Sequence, residues 1–171
     1  MSDTQPDQAV IFRETEEDAF DCKLCGHCCE GRGGIVVSDA DLVRLCEFLH
    51  LSAEGFASRW GTRQGEKLFI RSDENGCVFF HKGEGCSVHI AKPDICRAWP
   101  YFRGNLVDSE SHALAKDFCP GIPQEQNHET FVRQGLSYLV REHLVGSSRP
   151  DEAAALQVSD LPALAHDAGK R

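Results

Sequence analysis

The chain has no apolar run approaching the roughly 20 residues that a membrane-spanning helix needs, so no role within a membrane is expected. It has no basic, apolar leader either. Residues 1–7 read Met-Ser-Asp-Thr-Gln-Pro-Asp, which is not a secretory signal, and a cytoplasmic location is expected. Positive charge is scarce: 18 Lys and Arg against 27 Asp and Glu leave a net charge of −9. Such a chain repels phosphate backbones, so nucleic acid and anionic membrane are poor partners. Gly31, Gly33 and Gly34 do not form a G-x-G-x-x-G phosphate loop, which removes nucleotide binding on that evidence. There is no internal repeat. The hydrophobic fraction of 41% in 171 residues fits one domain with a modest core and tails.

What the chain has in quantity is cysteine, nine in all. Four fall in residues 21–34: Cys22, Cys25, Cys28 and Cys29. A C-x-x-C step lets one tight turn aim two sulfurs at one point, and repeating it at Cys25–Cys28 aims a third. In a reducing compartment such clusters point to metal rather than to disulfides. Thiolates are soft ligands that select zinc, copper(I) or iron–sulfur clusters. Cys28 and Cys29 are poorly placed to bridge each other in a disulfide, since neighbouring α-carbons lie about 3.8 Å apart, below the usual range. Their side chains are expected to diverge and to serve different ions or different corners of a cluster.

Residues 1–19 are polar and acidic apart from Val10, Ile11 and Phe12, and read as a mobile tail with a short apolar anchor. After the cysteine loop, residues 35–37 are β-branched and suit a buried strand. Ser38 and Ser52 read as N-caps of two helices, the first with an apolar face of Leu42, Leu45, Cys46 and Leu49. Residues 66–71 and 77–80 are expected to pair as a hairpin about Asn75-Gly76. Pro93 is expected to start a short helix over 94–99. Residues 124–144 read as the longest helix, with Phe131, Val132, Leu136, Leu139, Val140 and Leu144 on one stripe. Residues 147–171 read as a second mobile tail.

Cys77, Cys86, Cys96 and Cys119 each sit beside turn residues or at an element end, where the backbone can present a ligand. With the first loop they make eight candidate ligands. Eight thiolates can hold two four-coordinate zinc ions. Alternatively, four hold an iron–sulfur cluster while the others bind a second ion or stay free. The run Cys22, Cys25, Cys28 with a remote Cys119-Pro120 is the kind of spacing found around cubane clusters, which tilts the reading toward iron–sulfur. Cys46, on an apolar helix face, reads as core. His27 and His89 are secondary candidates beside this set, His81 and His112 read as surface residues, and Arg97 as a donor to a sulfur or a surface ion pair. Trp99 and Phe102 read as core.

With these residues in view, the chain resembles the CxxCxxCC, or YkgJ-type, cysteine-cluster family of zinc- or iron-chelating domains. The resemblance rests on Cys22-Lys-Leu-Cys25-Gly-His-Cys28-Cys29, then Gly31 to Gly34, Cys77, Cys86, the Lys92-Pro93-Asp-Ile-Cys96-Arg97 segment with Pro100, and Cys119-Pro120-Gly121. It covers about residues 20–122. The chain departs from the pattern at His89, where many relatives carry Tyr, and at Lys92, where many carry Arg. One branch of the family resembles flagellin lysine N-methylases, which are longer.

The expected fold is α+β: a small cysteine-rich, metal-centred domain over 20–122 with short strands, and a long C-terminal helix over 123–146 packed on it. The expected function is a cytoplasmic metal-binding protein with a cysteine-ligated iron–sulfur or Zn2+ site, serving electron transfer, metal handling or the scaffolding of a protein partner. The alternative is a redox or protein-modifying enzyme related to the flagellin lysine N-methylases. A catalytic metal keeps an open coordination position, whereas eight cysteines point to saturation.

Overall fold

The computed structural model describes residues 20–30, 34–146 and 156–157. The expected N-terminal tail, Gly31 and Gly33 of the loop, and most of the expected C-terminal tail lie outside the described residues. The chain forms an α+β fold of short strands and six helices among the described residues.

Strand β1 (Ile35–Val37) leads into helix α1 (Asp39–Leu49). Ser38 starts that helix with a capping box: its hydroxyl accepts from Asp41 N, and the Asp41 carboxylate accepts from Ser38 N. The Ser52 hydroxyl accepts from Gly55 N in the same way and opens α2 (Ala53–Trp60). Strands β2 (Gly61–Gln64) and β3 (Lys67–Ile70) follow. The three strands form one antiparallel sheet in the order β1-β3-β2, with Ile70 opposite both Ile35 and Gly61.

The expected hairpin about Asn75-Gly76 is therefore not the main one. The partners of β3 are β1 and β2, and Asn75-Gly76 serves only the small pair β4 (Ser72–Asp73) and β5 (Gly76–Cys77). The Asp73 carboxylate accepts from Asn75 N at 2.7 Å and tightens that turn. A second small pair, β6 (Phe80–His81) and β7 (Gly85–Cys86), follows at once. Residues 78–79 turn between the two pairs rather than extending a strand, and each pair carries a cysteine on its last residue.

Helix α3 (Asp94–Arg97) starts after Pro93 as expected but ends sooner, and a cis Trp99–Pro100 peptide follows it. Two helices that the sequence reading did not place come next, α4 (Arg103–Val107) and α5 (Ser109–Phe118). The longest helix, α6 (His128–Arg141), begins later than expected because Asn127 caps it, accepting from Thr130 N at 2.8 Å. It packs closely on the segment after α3: a Cβ on Gly135 would lie 2.4 Å from the Tyr101 ring, so glycine at this helical position is a close-approach device. Strand β8 (Val145–Gly146) pairs in parallel with β9 (Leu156–Gln157).

Two apolar clusters result. One lies between the three-stranded sheet, α1 and α2, with Leu45, Phe56, Ile70, Phe79 and Val88 buried. The other joins α4, α5 and α6 through Tyr101, Leu106, Ile122, Phe131 and Leu139. Each such side chain, fully buried, contributes about 1.5–3 kcal/mol. Cys77 and Cys86 pack on the first cluster and Cys119 belongs to the second, so the cysteines lie along the seam between them.

Candidate metal centre

The N-terminal loop is fastened to the rest of the fold at several points. Asp21 N donates to Gly121 O at 3.0 Å, beside Cys119. Leu24 and Gly26 take left-handed conformations, with φ of 53° and 89°, which curl the backbone between the C-x-x-C steps. A 3-10 turn over His27–Cys29 follows, with Cys29 N donating to Gly26 O at 2.7 Å. The tip of the Phe80 ring lies against Gly26, since a Cβ there would stand 1.9 Å from Phe80 Cζ. Gly76 presses as closely on the Cys29 carbonyl, 2.3 Å from its own would-be Cβ. The two small β pairs thus form the seat of the loop.

All eight expected ligands face one cavity. Cys22, Cys25, Cys28, Cys29, Cys77, Cys86, Cys96 and Cys119 line a space of about 360 Å³. Cys77 and Cys86 come from β5 and β7, Cys96 from α3, and Cys119 from the residue after α5. Cys25 and Cys28 are exposed at its rim, Cys119 is buried, and the other five are half-buried. The thiols ring the cavity: among the described residues, no three His, Cys, Asp or Glu side chains converge tightly enough to hold an ion.

The nearest approach is Cys28 Sγ to Cys29 Sγ at 3.9 Å. These side chains converge, against the expectation that they diverge. Two thiolates on one tetrahedral ion with metal–sulfur distances of about 2.3 Å stand about 3.8 Å apart, so this pair already has the spacing of two ligands on one metal. The Cys28 thiol is pulled down to about 6, first by the hydrogen bond from Cys29, which outweighs burial, and then by Lys92, a backbone N–H and His27. Cys29 is driven up by that same bond and by burial. Burial pushes Cys96 up to about 12 and raises Cys77 and Cys86. The raised Cys29, Cys77, Cys86 and Cys96 thiols hold protons that a bound metal must displace.

Cys46 stays outside the cavity and packs on the first apolar cluster, as its helix face implied. His27 lines the cavity but acts as a strut, its Nδ1 donating to Phe118 O at 2.7 Å with the two rings 5.4 Å apart. His89 also lines the cavity, and its Nε2 lies 3.3 Å from Lys92 Nζ. Arg97 is taken up by ion pairs to Asp94 and Glu142, at 3.0 and 2.8 Å, and not by a sulfur. His81 is exposed, but His112 is not a surface residue: it is 2% exposed and stacked on Phe131 at 4.2 Å. Trp99 and Phe102 pack on the second cluster and line the cavity too.

Sequence reasoning missed the apolar part of the lining, Phe20, Phe80, Ile95 and Phe118, and the cation Lys92. The available signal was local: Phe20, Ile95 and Phe118 lie within two positions of a cysteine, Phe80 pairs with Cys86 across β6 and β7, and Lys92 stands four positions before Cys96.

The donor set fits a thiophilic metal, with eight soft ligands and no carboxylate in the lining. No helix among the described residues is long and apolar enough to cross a membrane. No curated protein and no solved structure matches the chain. A family model does, over residues 21–120, that of the CxxCxxCC family, described as a putative zinc- or iron-chelating domain. The match spans more than half of the 171 residues and includes every cysteine that faces the cavity, so the chain belongs to the CxxCxxCC family of zinc- or iron-chelating domains.

Proposed function

We propose that the eight cysteines hold a polynuclear metal centre, an iron–sulfur centre in preference to separate zinc ions, and that the protein serves electron transfer or metal handling in the cytoplasm with a protein partner. The observation that carries this reading is the cavity. A single four-thiolate zinc site needs no free space, because its ligands touch the ion at about 2.3 Å. Here eight cysteines surround about 360 Å³, the liquid volume of about a dozen waters. That space suits several metals with bridging atoms.

The position of the site supports an electron or metal route. Cys25 and Cys28 stand exposed at one rim while Cys119 closes the buried end. Phe79, Phe80, Trp99 and Phe102 give the cavity apolar walls. The net charge of −9 favours a protein partner over nucleic acid. Zinc keeps one specific argument, the 3.9 Å spacing of the Cys28 and Cys29 sulfurs, which is close to that of two thiolates on one tetrahedral ion.

Anaerobic purification tests the reading, with absorption spectra and elemental analysis on the same sample. Iron with acid-labile sulfide and a broad visible band is the expected result. A colourless protein with about two zincs per chain overturns the iron–sulfur assignment and makes the site a structural one.

A further inference from the structure

One cation in the cavity has no carboxylate to answer it. Lys92 lines the cavity, and its Nζ lies 3.3 Å from Nε2 of His89. Among the described residues no Asp or Glu pairs with Lys92, and the lining contains neither residue type. Lys23, the other lysine in the lining, is answered by Asp21. A half-buried ammonium costs free energy unless an anion lies near it. The groups of the lining that can carry the answering negative charge are the thiols.

The backbone that carries Lys92 is held by more than its own turn. Its carbonyl accepts from Arg44 Nη2 at 3.2 Å. The same Arg44 nitrogen pairs with Asp41 and Asp94, and Asp94 N donates to Asp41 Oδ1 at 2.9 Å. Buried Pro93 follows directly and starts the helix that carries Cys96. This clamp from α1 fixes the segment from which both Lys92 and Cys96 enter the cavity, and it leaves the Lys92 ammonium itself unclaimed by any carboxylate.

We propose that Lys92 is the built-in counter-ion of the metal–thiolate centre, held in place by His89 and by the Arg44–Asp41–Asp94 clamp. This rests on the reading that the cavity cysteines bind metal. A divalent ion bound by four thiolates is an anion overall, so a fixed ammonium beside it strengthens binding. The opposite sign, a lysine that repels the incoming metal cation, is the competing expectation.

The test uses the full chain, reduced and freed of metal, with Zn2+ as the probe in competition against a chromophoric chelator. Lys92→Met is expected to bind zinc about tenfold more weakly, the scale of one opposite charge a few ångströms away. Lys92→Arg, which keeps the charge, is expected to stay within about threefold of the unaltered chain on the same electrostatic scale. Lys82→Met, on the exposed turn between β6 and β7, is expected to change nothing. Thermal unfolding of the metal-free variants separates binding from folding, and Lys92→Gln carries the comparison if Lys92→Met does not fold. Unchanged or tighter zinc binding by the neutral variants overturns the proposal, as does an Arg variant as weak as the Met one. If the unaltered chain takes up no zinc or iron at all, the metal reading falls, and the counter-ion with it.

Discussion

Replacing Gly26 by alanine tests whether the cysteine loop is held by its fit against Phe80. Two costs follow from the structure. Gly26 has φ of +89°, where an L-residue with a Cβ costs about 1–2 kcal/mol. The new Cβ would also lie 1.9, 2.3 and 2.5 Å from three atoms of the Phe80 ring, against a normal contact of about 3.5–4.0 Å. Loop or ring must therefore move by more than an ångström, an overpacking cost of about 1–3 kcal/mol. Alanine restricts the unfolded chain and returns about 0.4–1 kcal/mol. The net destabilisation is about 1–5 kcal/mol, with roughly 2–4 °C of melting temperature for each kcal/mol in a chain this size. Metal content should fall with it, because the displaced backbone carries Cys25 and Cys28. Thermal unfolding and metal analysis on Gly26→Ala, Phe80→Ala and the double variant form a double-mutant cycle. The steric part predicts a favourable coupling of about 1–2 kcal/mol, while the φ strain remains in the double variant. A Gly26→Ala protein that melts and loads metal like the unaltered chain, or a cycle with no coupling, refutes this account of the loop.

Cys25→Ser and Cys96→Ser, one at the exposed rim and one on α3, should each lower the metal-to-protein ratio, and normal ratios in both would remove them from the site. Asp41 is 3% exposed and accepts from Ser38 N, Asp94 N and Arg44 at once. Asp41→Ala leaves the Ser38 and Asp94 amides without this acceptor and Arg44 with only Asp94 and the Lys92 carbonyl, and should destabilise by about 3 kcal/mol in a urea titration, whereas a cost under about 1 kcal/mol would show the clamp to be dispensable. His112 has its pKa pushed down from 6.5 to about 4, first by burial and then by His128 and Lys116. The unfolded chain therefore takes up this proton first on acidification. Stability contributed by neutral His112 is full above about pH 6.5 and is lost toward pH 4, by at most about 1.4 kcal/mol per pH unit. His112→Phe should flatten the melting temperature across that window, and an unchanged slope would assign the acid sensitivity to other groups.

The set of cysteines that lines the cavity was legible because spacing and turn residues are local information. C-x-x-C steps and cysteines beside Gly76, Gly85 and Pro120 can be read without knowing the fold. Ser38 and Ser52 were legible for the same reason, since a cap acts within three residues. Strand β2 was not, because Gly61–Gln64 is polar and is a strand only through its pairing with β3. Helix α5 carries no apolar stripe, and its Leu114 points to solvent, yet Asp108 signalled its start: the carboxylate accepts from Glu110 N and Ser111 N. The burial of His112 was hidden because tertiary packing on Phe131, not the local pattern, puts it inside. The convergence of Cys28 and Cys29 was missed because it is set by the 3-10 turn and the positive φ of Gly26, not by the distance between adjacent α-carbons.

The central claim is that eight cysteines from five places in the chain act as one metal centre. Thiol alkylation read residue by residue by mass spectrometry, on metal-loaded and chelated protein, tests it most directly. The account predicts that Cys22, Cys25, Cys28, Cys29, Cys77, Cys86, Cys96 and Cys119 are protected together and released together on chelation, while Cys46 reacts alike in both. Metal-loaded protein whose eight cavity thiols react as fast as those of the metal-free chain would contradict it.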